Sequence, residues 1–278
     1  MTSEISSGGI AQDTPPALLA LRQSCPPLKV EVAGLVWEVI DTGAAAGSAE
    51  TLVLLPGAQG TAALFYRQVA LLRDSARLLA VSYPAAPDAA VLADGLAGVL
   101  DAVGVAQASV LGSSYGAYLA QLFAERHPSR VRLLFVTNGF VSVASHQSGG
   151  TAQLEAVPAA ALKGGALQRI IALPPSELRS ALIAELGEQS AEAFKAHLLG
   201  VARSRPIGPL AIPDDRVVVI DCADDPVVGA ETRAGVVSHY PGAARHTLEQ
   251  GGHYPYIQAA EAFAAIVRGC LGGAGGLL

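Results

Sequence analysis

The stretch "QASVLGSSYGAYLAQLFAE", residues 107–125, decides the fold. Its first half is a short apolar run and its second half reads as an amphipathic helix. The two meet at a pair of serines framed by Gly112 and Gly116. The register G-x-S-x-G fits Ser114 alone, because Ser113 has no glycine partners at those offsets. A nucleophile on a sharp strand-to-helix turn needs this spacing: its backbone is strained, and side chains at the flanking positions would collide. The helix that follows brings its amino end and its N–H groups near the serine, where they favour a developing oxyanion. In a chain so rich in Ala and Gly the five-residue pattern carries little weight alone. The strand before it and the helix after it give it meaning.

The same alternation extends in both directions. "LKVEVAGLVWEVIDTG" (28–43) alternates apolar and polar residues, as a half-buried hairpin does, with Trp37 as a packed aromatic. "TLVLLPGAQG" (51–60) is a buried strand that ends at Pro56-Gly57. A helix with Leu64, Val69 and Leu72 on one side follows. Next come a strand at "ARLLAVS", a helix at 88–105 closed by Gly104, the stretch quoted above, and a strand at "VRLLFVT". Strands alternating with helices through short loops predict a parallel α/β sheet.

Between about residues 145 and 210 only helical segments occur, one of them opened by Pro174-Pro175-Ser176-Glu177. The α/β pattern resumes with "DRVVVIDCADDP", a helix over 229–242, "ARHTLEQGGHYPY" and a closing helix. The organisation expected is a tail over 1–27 with one short helix at 17–22, a core over 28–145, a helical cap over 146–210, and the rest of the core over 211–278. The end, "GGAGGLL", reads as a flexible extension.

Composition narrows the function classes. Of the 278 residues 51% are hydrophobic and 15% charged, which fits a well-packed globular chain and argues against disorder. The net charge is −6 and no Lys/Arg run stands out, so nucleic acid is not an expected partner. Cys25, Cys222 and Cys270 are few and far apart, which predicts neither a disulfide framework nor a zinc site and fits a reducing, cytoplasmic compartment. There is no signal-peptide pattern at the N-terminus and no long uninterrupted apolar run, so stable membrane association is not expected.

A serine nucleophile on such a turn takes an acid and then a histidine later in the chain. Of the six histidines, His127 precedes Pro128 at a helix end, His146 and His197 fall in the helical segment, His239 is late in a helix, and His246 is in a strand. His253 stands in the Gly-rich loop "QGGHYPY" after the last strand and is the candidate base. The acid should follow "RVVVI". Asp225, before Pro226, and Asp224 are both candidates, with Asp221 nearer the strand body. Its task is to hold one imidazole tautomer and stabilise the imidazolium. The oxyanion hole should combine the N–H of Tyr115 with that of Ala58 in "LLPGAQG". In that loop Gly57 permits the turn, and Gln59 could add a substrate contact.

Together the elbow "GSSYG", the "LLPGAQG" loop, the "DCADDP" turn and "GGHYPY" resemble the α/β-hydrolase family over about residues 28–271. Within it, "LPGAQGTAALFYRQV", "VSYP" and "GGHYPYIQ" look most like maspardin and its relatives. The resemblance implies an α/β-hydrolase fold: a mostly parallel central sheet flanked by helices, with a helical cap insertion. It implies a serine hydrolase acting on an ester, thioester or related acyl group, with no cofactor and no metal. Apolar stripes in the cap (Leu167, Ile170, Ile171, Leu182, Ile183, Leu186) point to a small apolar substrate, although such stripes more often pack a cap onto its core. Many family members carry His-Gly where this chain has Pro56-Gly57. The alternatives are a non-hydrolytic lyase or cyclase on the same fold and a maspardin-like binding or adaptor protein. Maspardin's matching loop lacks the histidine, and His253 at that position here tilts the reading toward an enzyme; for the acid, the maspardin comparison favours Asp224 and the wider family's Asp-Pro turn favours Asp225.

Overall fold

The computed structural model describes residues 14–59, 61–143 and 150–273. The first half of the expected tail, Gly60, His146 and residues 274–278 lie outside the described residues, while Gly272 and Gly273 of the glycine-rich end continue the last helix. In chain order the elements are α1 (Pro16–Ser24), β1 (Leu28–Val32), β2 (Leu35–Asp41), β3 (Thr51–Leu55), α2 (Tyr66–Leu72), β4 (Arg77–Ser82) and α3 (Ala89–Ala102). They continue with β5 (Ala108–Ser113), α4 (Tyr115–Arg126), β6 (Val131–Thr137), α5 (Gly150–Ala156), α6 (Ala159–Ile171), α7 (Glu177–Glu188) and α8 (Ala191–Ala202). The last are β7 (Val217–Cys222), α9 (Ala230–His239), β8 (Ala244–Leu248), α10 (Pro255–Gln258) and α11 (Ala260–Gly273).

The eight strands form one sheet in the order β1-β2-β4-β3-β5-β6-β7-β8. The β1–β2 and β2–β4 pairs are antiparallel and the rest are parallel. Continuous apolar runs in the sequence have their cause here, since both faces of the sheet are covered. Along β3, Val53 and Leu55 pack into a core with α3 and α4, whereas Leu52 and Leu54 pack into a second core with α1, α2 and α11. Val217 and Val219 divide from Val218 and Ile220 in the same way. β4 lies on one side of β3 and β5 on the other, so the strand order reverses between β3 and β5, and a crevice opens at their carboxyl ends.

Part of the segment expected as a tail is packed instead. Helix α1 starts at Pro16, where a missing N–H costs nothing, and buries Leu18 and Leu21 in the second core. Its Arg22 donates to the buried Glu185 of α7 at 2.7 Å. Between β6 and β7 the described residues carry α5 to α8 and no strand. Ser176 and Ser190 cap α7 and α8 by accepting from the amides of Arg179 and Ala193. Ile170, Leu182 and Leu186 are buried in the second core, with Leu167 and Ile183 packed against it. These five residues therefore hold the segment down on the core. No helix among the described residues is long and apolar enough to cross a membrane.

The turn between β5 and α4 is the tightest contact. A Cβ on Gly112 would lie 2.0 Å from the Gly116 carbonyl oxygen, and one on Gly116 would lie 2.1 Å from that of Leu55. Neither backbone atom can swing away. Gly116→Ala should therefore cost about 3 kcal/mol or more, read as a large fall in Tm or loss of soluble protein. Gly187→Ala, where a Cβ in α7 meets nothing within 4 Å, should be neutral or stabilising by up to about 1 kcal/mol. Equal Tm values for the two variants would refute this reading of the turn.

Candidate active site

Ser114 holds φ 56° and ψ −120°, a conformation that non-glycine residues rarely adopt. Its backbone N–H donates to the Thr137 carbonyl at 3.0 Å, and its own carbonyl accepts from the amides of Ala117 and Tyr118. The turn is thus fixed from both sides, with Ser114 as the cap residue of α4 and Tyr115 as its first member. The first N–H groups of a helix have no partner within it. Ser113 is buried. It fills the turn and leaves Ser114 as the partly exposed serine.

His253 lies in the loop between β8 and α10 and is 9% exposed. Its Nδ1 sits 2.9 Å from Asp225 Oδ2 and 3.1 Å from Oδ1. Asp225 Oδ1 also accepts from the amides of Val227 and Val228, at 2.7 and 3.1 Å. Burial alone would raise the Asp225 pKa. The hydrogen bond and charge of His253 and the two amides outweigh it, so the carboxyl sits below its usual range. Asp224 has different partners. Its carboxylate accepts from the amides of Gly251 (3.2 Å) and Gly252 (2.8 Å), so it anchors the loop that carries His253. Gly252 has φ 54°, and a Cβ there would meet the Gln258 side chain at 2.6 Å. Adjacent carboxylates therefore divide between the imidazole and its loop.

The loop after β3 faces this pair. A Cβ on Gly57 would lie 3.3 Å from Ser114 Cβ. The Tyr83 hydroxyl donates to the Pro56 carbonyl at 2.8 Å, and the Tyr254 hydroxyl donates to Gln59 Oε1 at 2.9 Å. Gln59 thus already has a protein partner at its carbonyl oxygen. A cavity of about 230 Å³ is lined by Gly57, Ala58, Gln59, Ser113, Ser114, His253, Tyr254 and Tyr256. Leu64, Leu198, Val201 and Val227 supply its apolar wall. Leu198 and Val201 come from α8, a helix whose residues were not among those assigned to substrate from the sequence. A larger cavity of about 560 Å³ between the hairpin, α1 and α7 touches none of the candidate residues.

The other histidines lie elsewhere. His127 pairs with Asp94 at 2.9 Å, His239 packs against Tyr240, and His246 is in β8. His197 is 1% exposed in α8. Among the described residues, no group of three or more His, Cys, Asp or Glu side chains is placed to hold a metal ion.

The alpha/beta hydrolase family matches residues 52–266. The chain belongs to that family. It is 28% identical to human maspardin over 230 residues, covering 80% of this chain and 74% of maspardin. It is 30% identical to a 2-hydroxymuconate semialdehyde hydrolase of Pseudomonas putida over 190 residues, covering 63% of this chain and 66% of that one. Among solved structures, an esterase of Thermogutta terrifontis superposes with a TM-score of 0.76 at 18% identity, over 89% of this chain and 98% of its own. The enol-lactonase of Burkholderia xenovorans gives 0.72 at 19%, over 88% and 99%. The maspardin resemblance read from the sequence thus recurs across most of the chain.

Within this hydrolase-family frame, one residue at the site was not singled out from the sequence. Asn138, just after β6, has φ 41°, donates from Nδ2 to the Gly252 carbonyl at 2.9 Å, and accepts at Oδ1 from the Cys222 amide at 3.0 Å. It ties the end of β7 to the histidine loop. The available signal was an Asn directly after a buried strand, since Asn tolerates positive φ. Removing the other anchor should loosen the loop selectively. Asp224→Ala should speed amide exchange at Gly251 and Gly252 by about tenfold or more with little change at β7, because hydrogen bonds to a charged acceptor are worth about 1.5–3 kcal/mol each. Unchanged exchange there would remove Asp224 from this role.

Proposed function

We propose that this chain is a serine hydrolase that cleaves an ester, thioester or related acyl substrate through an acyl-enzyme. One observation carries the reading: a serine held at φ 56° on a strand-to-helix turn shares a cavity with a histidine whose Nδ1 sits on a buried carboxylate. In this mechanism Ser114 Oγ attacks the acyl carbonyl while His253 Nε2 takes its proton. Asp225 keeps the remaining proton on Nδ1 and stabilises the imidazolium. The developing oxyanion is held by the N–H groups of Ala58 and Tyr115. His253 then protonates the leaving group, and water releases the acyl group by the same steps in reverse. Gly57 gives the substrate room to approach, and Gln59 orients it through its amide end.

The apolar wall of Leu64, Leu198, Val201 and Val227 supports a small apolar acyl group, and we assign residues 146–210 the part of a cap over the site. Relatives named as an esterase, an enol-lactonase and a 2-hydroxymuconate semialdehyde hydrolase support hydrolytic chemistry on this fold. The sparse, unpaired cysteines support a cytoplasmic setting.

A fluorophosphonate probe followed by peptide mass spectrometry tests the nucleophile: the label should fall on Ser114 and vanish in Ser114→Ala. Absence of label under conditions that modify a control hydrolase would defeat the proposal. Asp225→Asn should lower kcat on p-nitrophenyl esters by about 10⁴-fold, because it favours the wrong imidazole tautomer. Asp224→Asn should cost far less. Comparable losses in the two variants would overturn the assignment of Asp225. Labelling of Ser114 without turnover of any ester, thioester or lactone would favour a lyase or cyclase on the same site.

A further inference from the structure

One carbonyl of the oxyanion loop, that of Ala58, is held by a side-chain relay from the helical segment. Gln189, directly after α7, donates from Nε2 to the Ala58 carbonyl at 3.2 Å. The same nitrogen lies 3.0 Å from Nδ1 of His197 in α8. His197 Nε2 lies 3.0 Å from the Pro84 carbonyl, just after β4. A carbonyl oxygen only accepts, so the ends of the chain fix its polarity. Nε2 of His197 must carry hydrogen to bond Pro84, which leaves Nδ1 as an acceptor. The Gln189 amide then divides its two N–H groups between His197 and Ala58. The neutral imidazole is the form this requires. Burial pushes the His197 pKa below its ordinary value, against the opposing pull of the Pro84 and Ala58 carbonyls.

Other contacts hold the relay itself in place. The Lys163 ammonium of α6 donates to the Gln189 carbonyl at 2.6 Å. The His197 ring packs edge-on to Tyr83 with centroids 5.4 Å apart, and Tyr83 is the residue that donates to the Pro56 carbonyl. The Ala58 N–H belongs to the peptide between Gly57 and Ala58. The carbonyls on either side of that peptide, Pro56 and Ala58, are each pinned by a side chain from outside the loop.

We propose that Gln189 and His197 are positioning residues that set the direction of the Ala58 N–H, so that docking of the helical segment completes the oxyanion pocket. The proposal rests on the hydrolase reading for its effect on catalysis, and on geometry alone for its effect on the loop.

Three variants separate positioning from packing: Gln189→Met, which keeps length without a donor; His197→Leu; and His197→Asn, whose Oδ1 stands in for Nδ1 as the acceptor. Each is assayed for kcat and KM on a p-nitrophenyl ester, for Tm, and for amide exchange across residues 55–60. Both His197 variants lose the bond to Pro84, so their losses in Tm should be similar. Gln189→Met and His197→Leu should lower kcat by about five- to tenfold with KM within about twofold, and should speed exchange in the loop. His197→Asn should keep kcat within about threefold of the wild type and leave loop exchange near its original rate. Equal losses in His197→Asn and His197→Leu, or unchanged loop exchange in Gln189→Met, would overturn the proposal. If the wild type turns over no ester while Gln189→Met still loosens the loop, the hydrolase reading falls and the positioning of the loop stands.

Discussion

Ser114 keeps its strained backbone because nothing larger than hydrogen fits at residues 112 and 116. Helix α4 packs its first turn directly onto the carbonyls of Leu55 and Pro56 at the end of β3, and a methyl group at Gly116 would overlap both. This approach joins the two strands between which the sheet reverses its order. It brings the loop after β3 against the serine after β5, and the histidine and acid loops complete the site from β7 and β8. A strained residue of this kind costs of order 1–3 kcal/mol and persists only where its surroundings hold it. Here the Thr137 carbonyl on one side and the first turn of α4 on the other hold it.

A buried carboxylate costs stability unless its lone pairs are satisfied. Asp225 meets that condition with an imidazole and two amides, and it stays ionised at a site where its side chain is fully covered. Asp224 leaves the imidazole to its neighbour and pins the glycines before His253. The pair therefore fixes both ends of the histidine: its ring through Asp225 and its backbone approach through Asp224. Asn138 adds a third tie from β6. His253 is placed by three side chains from two loops, none of them on the turn that carries Ser114.

The fold was largely legible in the sequence because the sheet is covered on both faces. Each inner strand had to be a short apolar run, and the runs were separated by helical periods and short loops. The elbow was legible for a related reason, since only glycine survives the contact at Gly112 and Gly116. Asp224 and Asp225 could not be told apart, because adjacent residues differ only in the direction of their side chains, and that direction is set by the turn they share. Gln189 and His197 were beyond reach for another reason. Their partners Ala58 and Pro84 lie 131 and 113 residues away in the chain, and an isolated Gln or His in an amphipathic segment carries no pattern. The apolar stripes at 167–186 carry both a packing and a substrate reading in the sequence, and Ile170, Leu182 and Leu186 are buried in the second core. The residues that do face the cavity, Leu198 and Val201, sit on the following helix. The polar, Pro-rich composition of residues 1–27 reads as a tail, and only the burial of Leu18 and Leu21 makes α1 part of the core.

The central claim is that the reversal of strand order builds an oxyanion pocket at Ser114 from backbone groups already in place. A crystal structure of the covalent phosphonate adduct tests it most directly. The account predicts a phosphorus–Oγ bond at Ser114 with the phosphoryl oxygen about 2.7–3.1 Å from the nitrogens of both Ala58 and Tyr115, and the loop after β3 unmoved. A phosphoryl oxygen turned away from those amides, or a loop rebuilt to reach it, would contradict the account.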